Sequence, residues 1–203
     1  MNDKDILFYG RYLPGLEKAK KLLLTEINAM LSQLSSDPET AVVEHIKSRI
    51  KDADSLRQKL SRLGLEETVE SGLTNLSDIV GVRVITHFIG DIYTVLDEIR
   101  SSDKWQVVTV KDYIASPKQN GYRSLHVLLS LPFDGSDIRE IKVEIQLRTI
   151  AMDCWASLEH QLKYKKHIRN TSLIVAELKR CADEIASTDL SMQTIRDLIH
   201  KDE

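Results

Sequence analysis

The 203-residue chain has little of several features that define classes of protein. It contains two cysteines, Cys154 and Cys181, whose spacing fits neither a disulfide scaffold nor a metal site. No stretch approaches the roughly 18 apolar residues of a membrane-spanning helix, and no basic start leads into an apolar run. These absences predict a cytosolic protein with free thiols, neither secreted nor held in a membrane.

Basic charge is also scarce, because the formal net charge is −3 and only 5% of the residues are aromatic. This composition argues against a protein held on nucleic acid by bulk charge, although local basic clusters can still bind phosphates. With 42% hydrophobic residues, the chain can bury one sizeable core. We therefore expect one domain, of the size of a typical catalytic domain, with helical extensions.

Polar side chains concentrate in residues 111–126 and again in residues 143–148. Because every second side chain of a strand faces the same side, two neighbouring strands here each have one polar face. The polar positions are Tyr122, Ser124, His126, Glu144, Gln146 and Arg148. Pro117 and Gly121 predict a constrained loop before the first strand. An antiparallel hairpin with one solvated face explains the same alternation, so the pattern alone leaves a site and a plain surface both open.

The first part of the chain has apolar residues at helical spacing. Apolar spacing predicts a helix over residues 11–34, and Asp37 and Pro38 then predict the start of a second helix that ends near Leu63. On its polar face, Lys51, Ser55, Lys59 and Arg62 form one stripe suited to phosphates, in a helix that also carries Arg49. An ordinary solvated helix face is the alternative.

Residues 76–88 read as a turn into a buried strand, with Asp78 at its start and Arg83 in its middle. An arginine in a central strand needs a partner or a cleft, whereas Asp78 fits a turn cap as well as a metal ligand. A helix over residues 90–101, a strand over 105–111, two more strands and two final helices follow. This order predicts an α/β (α+β) fold with a mixed sheet of about five strands flanked by helices.

Five short motifs then appear in one order. They are Arg49-x-Lys51, Asp78–Arg83, Lys111–Tyr113, Asn120–Ser124 and Val143–Thr149. In this order and over residues 43–165, the chain resembles the synthetase domain of the RelA/SpoT-type alarmone synthetases, and in size the small, single-domain members. The resemblance implies a nucleotidyltransferase-like catalytic domain over residues 41–166, with helical extensions over 1–40 and 167–203.

The implied activity is transfer of the β,γ-pyrophosphate of ATP to the 3′-hydroxyl of GDP or GTP, with Mg²⁺ as cofactor. By resemblance, Asp78 and Glu144 are the metal carboxylates, and Glu144 also takes the proton of the 3′-hydroxyl. The implied ATP-binding residues are Arg49, Lys51, Ser55, Lys59 and Arg83. The implied GDP/GTP-binding residues are Lys111, Lys118, Asn120, Tyr122, His126 and Gln146. Charge-neutralising carboxylates and basic clamps are also what phosphoryl-type transfer requires on chemical grounds.

Two departures from the family pattern bear on function. None of the six histidines is followed by Asp, as the family's hydrolase domain requires, so we expect synthesis without hydrolysis. At the family's regulatory positions the chain has His45, Lys47 and Asp153 in place of an aromatic residue, Thr and Asn. The resemblance implies a homo-oligomer, specifically a tetramer, but these replacements weigh against activation by pppGpp at its interface and against binding of single-stranded RNA there.

Two other functions remain compatible with the sequence. One is a pyrophosphokinase of the same fold with another acceptor, such as an adenosine nucleotide or the 3′ end of tRNA, because aromatic stacking does not choose between purines. The other is a non-catalytic nucleotide or RNA sensor. A Glu144→Gln substitution distinguishes the sensor, in which it would change nothing measurable, from either enzyme.

Overall fold

The computed structural model describes residues 2–34, 41–135, 137–163 and 171–201. The helices are α1 (Asp3–Tyr9), α2 (Leu13–Leu34), α3 (Ala53–Arg62), α4 (Val69–Asn75), α5 (Ile89–Ser101), α6 (Ile150–Lys163) and α7 (Thr171–Ile199), with a 3₁₀ turn at Gly10–Tyr12. The strands are β1 (Val43–Ile50), β2 (Val80–Thr86), β3 (Gln106–Asp112), β4 (Leu125–Gly135) and β5 (Ile138–Thr149).

The five strands form one mixed sheet in the order β1-β2-β5-β4-β3. Only the central β2–β5 pair is parallel, and the other three neighbouring pairs are antiparallel. β4 and β5 are consecutive in the chain and pair as a long hairpin. The predicted fold, a mixed sheet of five strands flanked by helices, is confirmed.

Alternate strand residues build the hydrophobic core. The apolar strand residues with no exposed surface are Val80, Val84, Leu125, Val127, Leu129, Val143, Ile145 and Leu147. Leu16, Leu23 and Ile27 of α2 are also fully buried and belong to the same cluster. The helices before residue 40 therefore complete the core of the sheet, and the predicted division at residues 40 and 166 stays a prediction.

The predicted second helix is wrong over residues 43–50. Residues 43–50 form strand β1 and not the middle of a helix, so Arg49 lies on a strand and Lys51 precedes α3. The helix proper begins at Ala53, where the side chain of Asp52 accepts a hydrogen bond from the backbone of Ser55. The predicted cap at Asp37 and Pro38 lies outside the described residues.

Other boundaries agree closely with the prediction. α3 ends before Gly64, which adopts a positive φ of 68°. The hydroxyl of Thr149 accepts a hydrogen bond from the Met152 backbone at the start of α6. The short helix α1, which begins at a capping box formed by Asn2 and Asp5, was not predicted.

The last helix, α7, lies against the loop that precedes β4. Arg123 in that loop donates hydrogen bonds to the backbone of Ala182 and to Asp183. A Cβ atom added at Gly121 would lie 2.5 Å from Cβ of Ala182, so only glycine permits this approach. Among the described residues, no helix is both long and apolar enough to cross a membrane.

Candidate active site

Asp78 lies in the short connection between α4 and β2, where it contacts two lysines, one from the β1–α3 junction and one from α3. Lys51 Nζ donates to Asp78 Oδ2 at 2.8 Å, and Lys59 Nζ lies 2.9 Å from Oδ1. The lysines are eight residues apart, yet meet at one carboxylate because Lys51 precedes α3 and Lys59 is in its last turn. Two residues of the stripe predicted on a continuous helix, Lys51 and Lys59, thus lie together around the carboxylate of Asp78.

The side chain of Asp78 is only 18% exposed. Burial by itself would raise the pKa of Asp78, but hydrogen bonds and charge from Lys51 and Lys59 outweigh burial and lower it. The carboxylate is therefore ionised at neutral pH. Asp78 therefore places a negative charge just before β2, between the ammonium groups of Lys51 and Lys59.

Glu144 on β5 is the second acid, and its partners come from β4 and from β5 itself. Its Oε1 lies 3.0 Å from Nδ1 of His126 on β4, and its Oε2 accepts a 2.7 Å hydrogen bond from Gln146. Burial works to raise the pKa of Glu144, but the hydrogen bonds from His126 and Gln146 prevail and lower it. The predicted polar face of the hairpin is thus a connected network rather than a solvated surface.

Strand register places these side chains in two adjacent rows. In one row, Arg83 on β2 is opposite Gln146 on β5, which is opposite His126 on β4. In the next row, Gly81 lies between Arg49 on β1 and Glu144 on β5. Neighbouring strands lie roughly 4.8 Å apart, so residues from four strands share one small area.

A cavity of about 340 Å³ opens over these rows. Its lining includes five of the predicted site residues: Arg49, Asp78, Arg83, Glu144 and Gln146. One polar atom of the lining, Nε of Arg83, is buried without a hydrogen-bond partner among the described residues. Buried polar groups are normally satisfied, so unpaired ones in a cavity indicate a ligand.

The loop before β4 forms an aromatic cluster beside the cavity. The hydroxyl of Tyr122 lies 2.8 Å from Nε2 of His126, and the ring of Tyr113 meets both rings edge-on. The ammonium of Lys118 lies 4.6 Å from the Tyr113 centroid and 4.8 Å from that of Tyr122. A cation beside electron-rich rings is stabilised there, so Lys118 and Tyr122 are brought together as predicted.

Three predicted residues lie at the margin of this arrangement. Ser55 is exposed in the first turn of α3, and Lys111 is exposed at the end of β3 opposite His126. Asn120 is tied to α6, since its amide donates a 2.9 Å hydrogen bond to Glu159. Their implied roles in binding stay predictions.

Arg148 and Asp153 were absent from the predicted ligand set but belong to the network. Arg148 is 4% exposed and donates to Tyr122, Gln146 and Asp153. Strand alternation from Glu144 and Gln146 already indicated its face. Asp153, which the resemblance placed at a regulatory position, is buried and bound within its own chain.

Comparison with known proteins agrees with this architecture. Residues 48–169, more than half of the chain, match the region found in RelA / SpoT proteins. GTP pyrophosphokinase YwaC of Bacillus subtilis (strain 168) is 43% identical over 155 residues, which are 76% of this chain and 74% of that protein.

Two solved structures have the same fold. Small alarmone synthetase 1 of Bacillus subtilis, bound to its product pppGpp, superposes with a TM-score of 0.83 at 28% identity and covers 95% of this chain and 98% of its own. Small alarmone synthetase 2 of the same species superposes with a TM-score of 0.72 at 38% identity, over 88% and 95%.

The chain therefore belongs to the RelA/SpoT family, as the resemblance predicted. Within that family it is an alarmone synthetase of the kind represented by these small enzymes, and it is a pyrophosphokinase.

Proposed function

We propose that this chain transfers the β,γ-pyrophosphate of ATP to the 3′-hydroxyl of GDP or GTP and so makes ppGpp or pppGpp. The 3′-oxygen forms a bond to the β-phosphorus of ATP, the bond from that phosphorus to the α-phosphate oxygen breaks, and AMP leaves. The observation that carries the proposal is the single cavity lined by Asp78 and Glu144, with lysines bound to the first acid and acceptor-side residues bound to the second.

The donor nucleotide fits the side of the cavity formed by β1, β2 and α3. Arg49 and Arg83 both line the cavity, and planar guanidinium groups stack on base faces. Lys51 and Lys59 are placed to exchange their ion pairs with Asp78 for the phosphates of ATP, with Ser55 nearby on α3. The unpaired Nε of Arg83 supports a ligand on this side.

Mg²⁺ fits the donor set of this cavity. Within the described ranges, no group of three or more His, Cys, Asp or Glu could hold a metal alone, but Mg²⁺ typically binds one or two carboxylates together with substrate phosphates. Asp78 and Glu144 would hold the ion, which would neutralise charge on the transferred phosphates.

The acceptor nucleotide fits the aromatic loop. The hydroxyl of Tyr122 accepts a hydrogen bond from Arg148 and lies 2.8 Å from Nε2 of His126, so the orientation of its ring is fixed before a guanine base stacks on it. Glu144 is two register positions from His126 on the same face of the sheet, and its partners lower its pKa. It is ionised at neutral pH and is placed to accept the proton of the attacking 3′-hydroxyl.

Incubation of the purified protein with Mg²⁺, γ-labelled ATP and separate GMP, GDP, GTP, ADP and bulk tRNA tests the proposal. We expect label on a guanosine nucleotide and release of AMP in equal amount. Label on ADP or tRNA would show that the acceptor is not a guanosine nucleotide. Transfer to none of them would contradict the proposal. In the same preparation ppGpp should persist, because we also propose that this chain does not hydrolyse it.

A further inference from the structure

Asp153 lies in the first turn of α6, immediately after the strand that carries Glu144 and Arg148. One of its carboxylate oxygens, Oδ1, accepts a 2.8 Å hydrogen bond from Arg148 and lies 3.0 Å from Nη1 of Arg83. Two guanidinium groups from different strands therefore share a single oxygen atom. The side chain of Asp153 is 13% exposed, so this contact is largely shielded from water.

The two arginines belong to different halves of the site. Arg83 lines the cavity that also contains Asp78. Arg148 instead donates a 2.7 Å hydrogen bond to the hydroxyl of Tyr122, and its guanidinium carbon lies 5.2 Å from the centre of that ring. Asp153 is thus in direct contact with one residue from each half.

Electrostatics make this carboxylate necessary for the arrangement. Burial lowers the pKa of Arg83, the positive charge of Arg148 lowers it further, and Asp153 acts in the opposite direction. Without a negative charge between them, the half-buried guanidinium of Arg83 and the buried one of Arg148 repel each other. Removing one partner of a buried, hydrogen-bonded charge cluster leaves an uncompensated charge, which the side chains relieve by moving apart.

We propose that Asp153 is a positioning residue that sets the donor and acceptor halves of the site at the same time. It touches no reacting atom in this account and acts through Arg83 on one side and through Arg148 and Tyr122 on the other. This inference rests on the proposed function for the identity of the two nucleotides. Its distinctive consequence is that one substitution affects both substrates, whereas loss of Tyr122 affects only the acceptor.

The test compares Asp153→Asn, which keeps the shape and removes the charge, with Asp153→Glu, which keeps the charge but moves it. Asp97→Asn is the matched control, because Asp97 is exposed on α5 and pairs only at a distance of 3.7 Å with Arg100. We expect Asp153→Asn to raise KM for ATP and for the guanosine acceptor by roughly tenfold each. Asp153→Glu should give smaller shifts in both, and Asp97→Asn none.

Calorimetric binding of a non-hydrolysable ATP analogue and of GDP, measured separately, gives a readout that does not depend on turnover. If Asp153→Asn weakens only one of the two nucleotides, or neither, the inference is wrong. If Asp153→Asn does not fold, Asp153→Glu decides, and unchanged binding of either nucleotide by that variant overturns the inference. If the wild type binds both nucleotides but transfers nothing, the proposed function fails while the role of Asp153 is still measured.

Discussion

Tyr122 makes its contacts with two different parts of the side chain. Its hydroxyl is shared by His126 and Arg148, and its ring packs at 6.5 Å from Trp155. Since base stacking on an aromatic side chain contributes about 1–3 kcal/mol, Tyr122→Ala should raise KM for the guanosine acceptor roughly tenfold or more. Binding of ATP should not change.

Tyr122→Phe and Tyr93→Phe are the controls for this prediction. Tyr122→Phe keeps the stacking ring and loses only the hydroxyl contacts, so its effect on the acceptor should be smaller than that of the alanine variant. Tyr93 donates to Asp112 outside the cluster, and its loss should leave both substrates unaffected. An equal rise in KM for ATP in Tyr122→Ala would contradict the assignment of Tyr122 to the acceptor.

The lowered pKa of Asp78 makes a prediction about stability and pH. A carboxylate whose folded-state pKa is lower than its unfolded value stabilises the protein above the unfolded pKa, and that contribution disappears as pH falls through the folded pKa. Asp78→Asn should therefore be less stable than the wild type at pH 7, with the difference closing toward pH 3. Urea unfolding at several pH values measures this difference, and a gap that widens in acid would refute it.

Alternation along strands predicted which residues carry chemistry, but not what each one binds. It placed Glu144 and Gln146 on the polar face correctly. The hydrogen bond between Arg148 and Asp153 joins a strand to a helix. The ion pairs of Asp78 join the connection before β2 to Lys51, just before α3, and to Lys59 within α3. Neither contact has a periodic signature, since both depend on how the elements pack.

At the scale of elements, α7 supports the loop that carries Tyr122. Gly121 in that loop has a φ of 88°, and an added Cβ would lie 2.5 Å from Ala182 of α7. Gly121→Ala should therefore destabilise the protein by roughly 2–4 kcal/mol, through the positive φ and through overpacking. Thermal or urea unfolding measures the loss.

Gly64 provides a matched control for Gly121. It has a φ of 68° with nothing within 4 Å of an added Cβ, so Gly64→Ala should cost only about 1–2 kcal/mol of conformational strain. The additional loss in Gly121→Ala reports the contact with α7. Ala182→Gly should recover part of it, and equal losses in the two glycine variants, with no recovery, would show that α7 does not press on the loop.

The misassigned strand shows where element prediction fails. Ile46 and Ile50 are four residues apart, as on one face of a helix, and short segments of this kind fit both periods. The strand conformation is favoured by β2, a strand rich in valine that pairs with β1 at Val43 and from His45 to Ile50. The strands β2 to β5 were predictable because they are rich in β-branched residues, which favour strands and here also pack in the core.

At the scale of the whole molecule, α7 leaves apolar residues exposed. They are Leu173, Leu190, Met192, Ile195, Leu198 and Ile199, each 49–59% exposed. From this surface, together with the family resemblance to tetramers, we propose that the chain forms a homo-oligomer, specifically a tetramer. Light scattering after size exclusion should give a mass four times 23.1 kDa.

Charge placed on that surface tests the oligomer. Leu190→Glu together with Ile195→Glu should reduce the mass toward that of one chain, because buried apolar contacts would be replaced by repelling carboxylates. Leu63→Glu, at an equally exposed leucine after α3, should leave the mass unchanged. A wild-type protein with the mass of one chain at micromolar concentration would exclude the proposal.

Glu144 is ionised and lines the same cavity as Asp78, the acid on the side of the donor nucleotide. In the proposed reaction, Glu144 accepts the proton of the attacking 3′-hydroxyl. The most direct test is the rate of label transfer from ATP to GDP or GTP by Glu144→Gln, with Glu140→Gln as control because Glu140 is exposed on the same strand. General base catalysis contributes about 10²–10⁴-fold. We predict a loss of at least about 100-fold for Glu144→Gln with both nucleotides still bound, and none for Glu140→Gln. Transfer by Glu144→Gln at the wild-type rate would contradict the account.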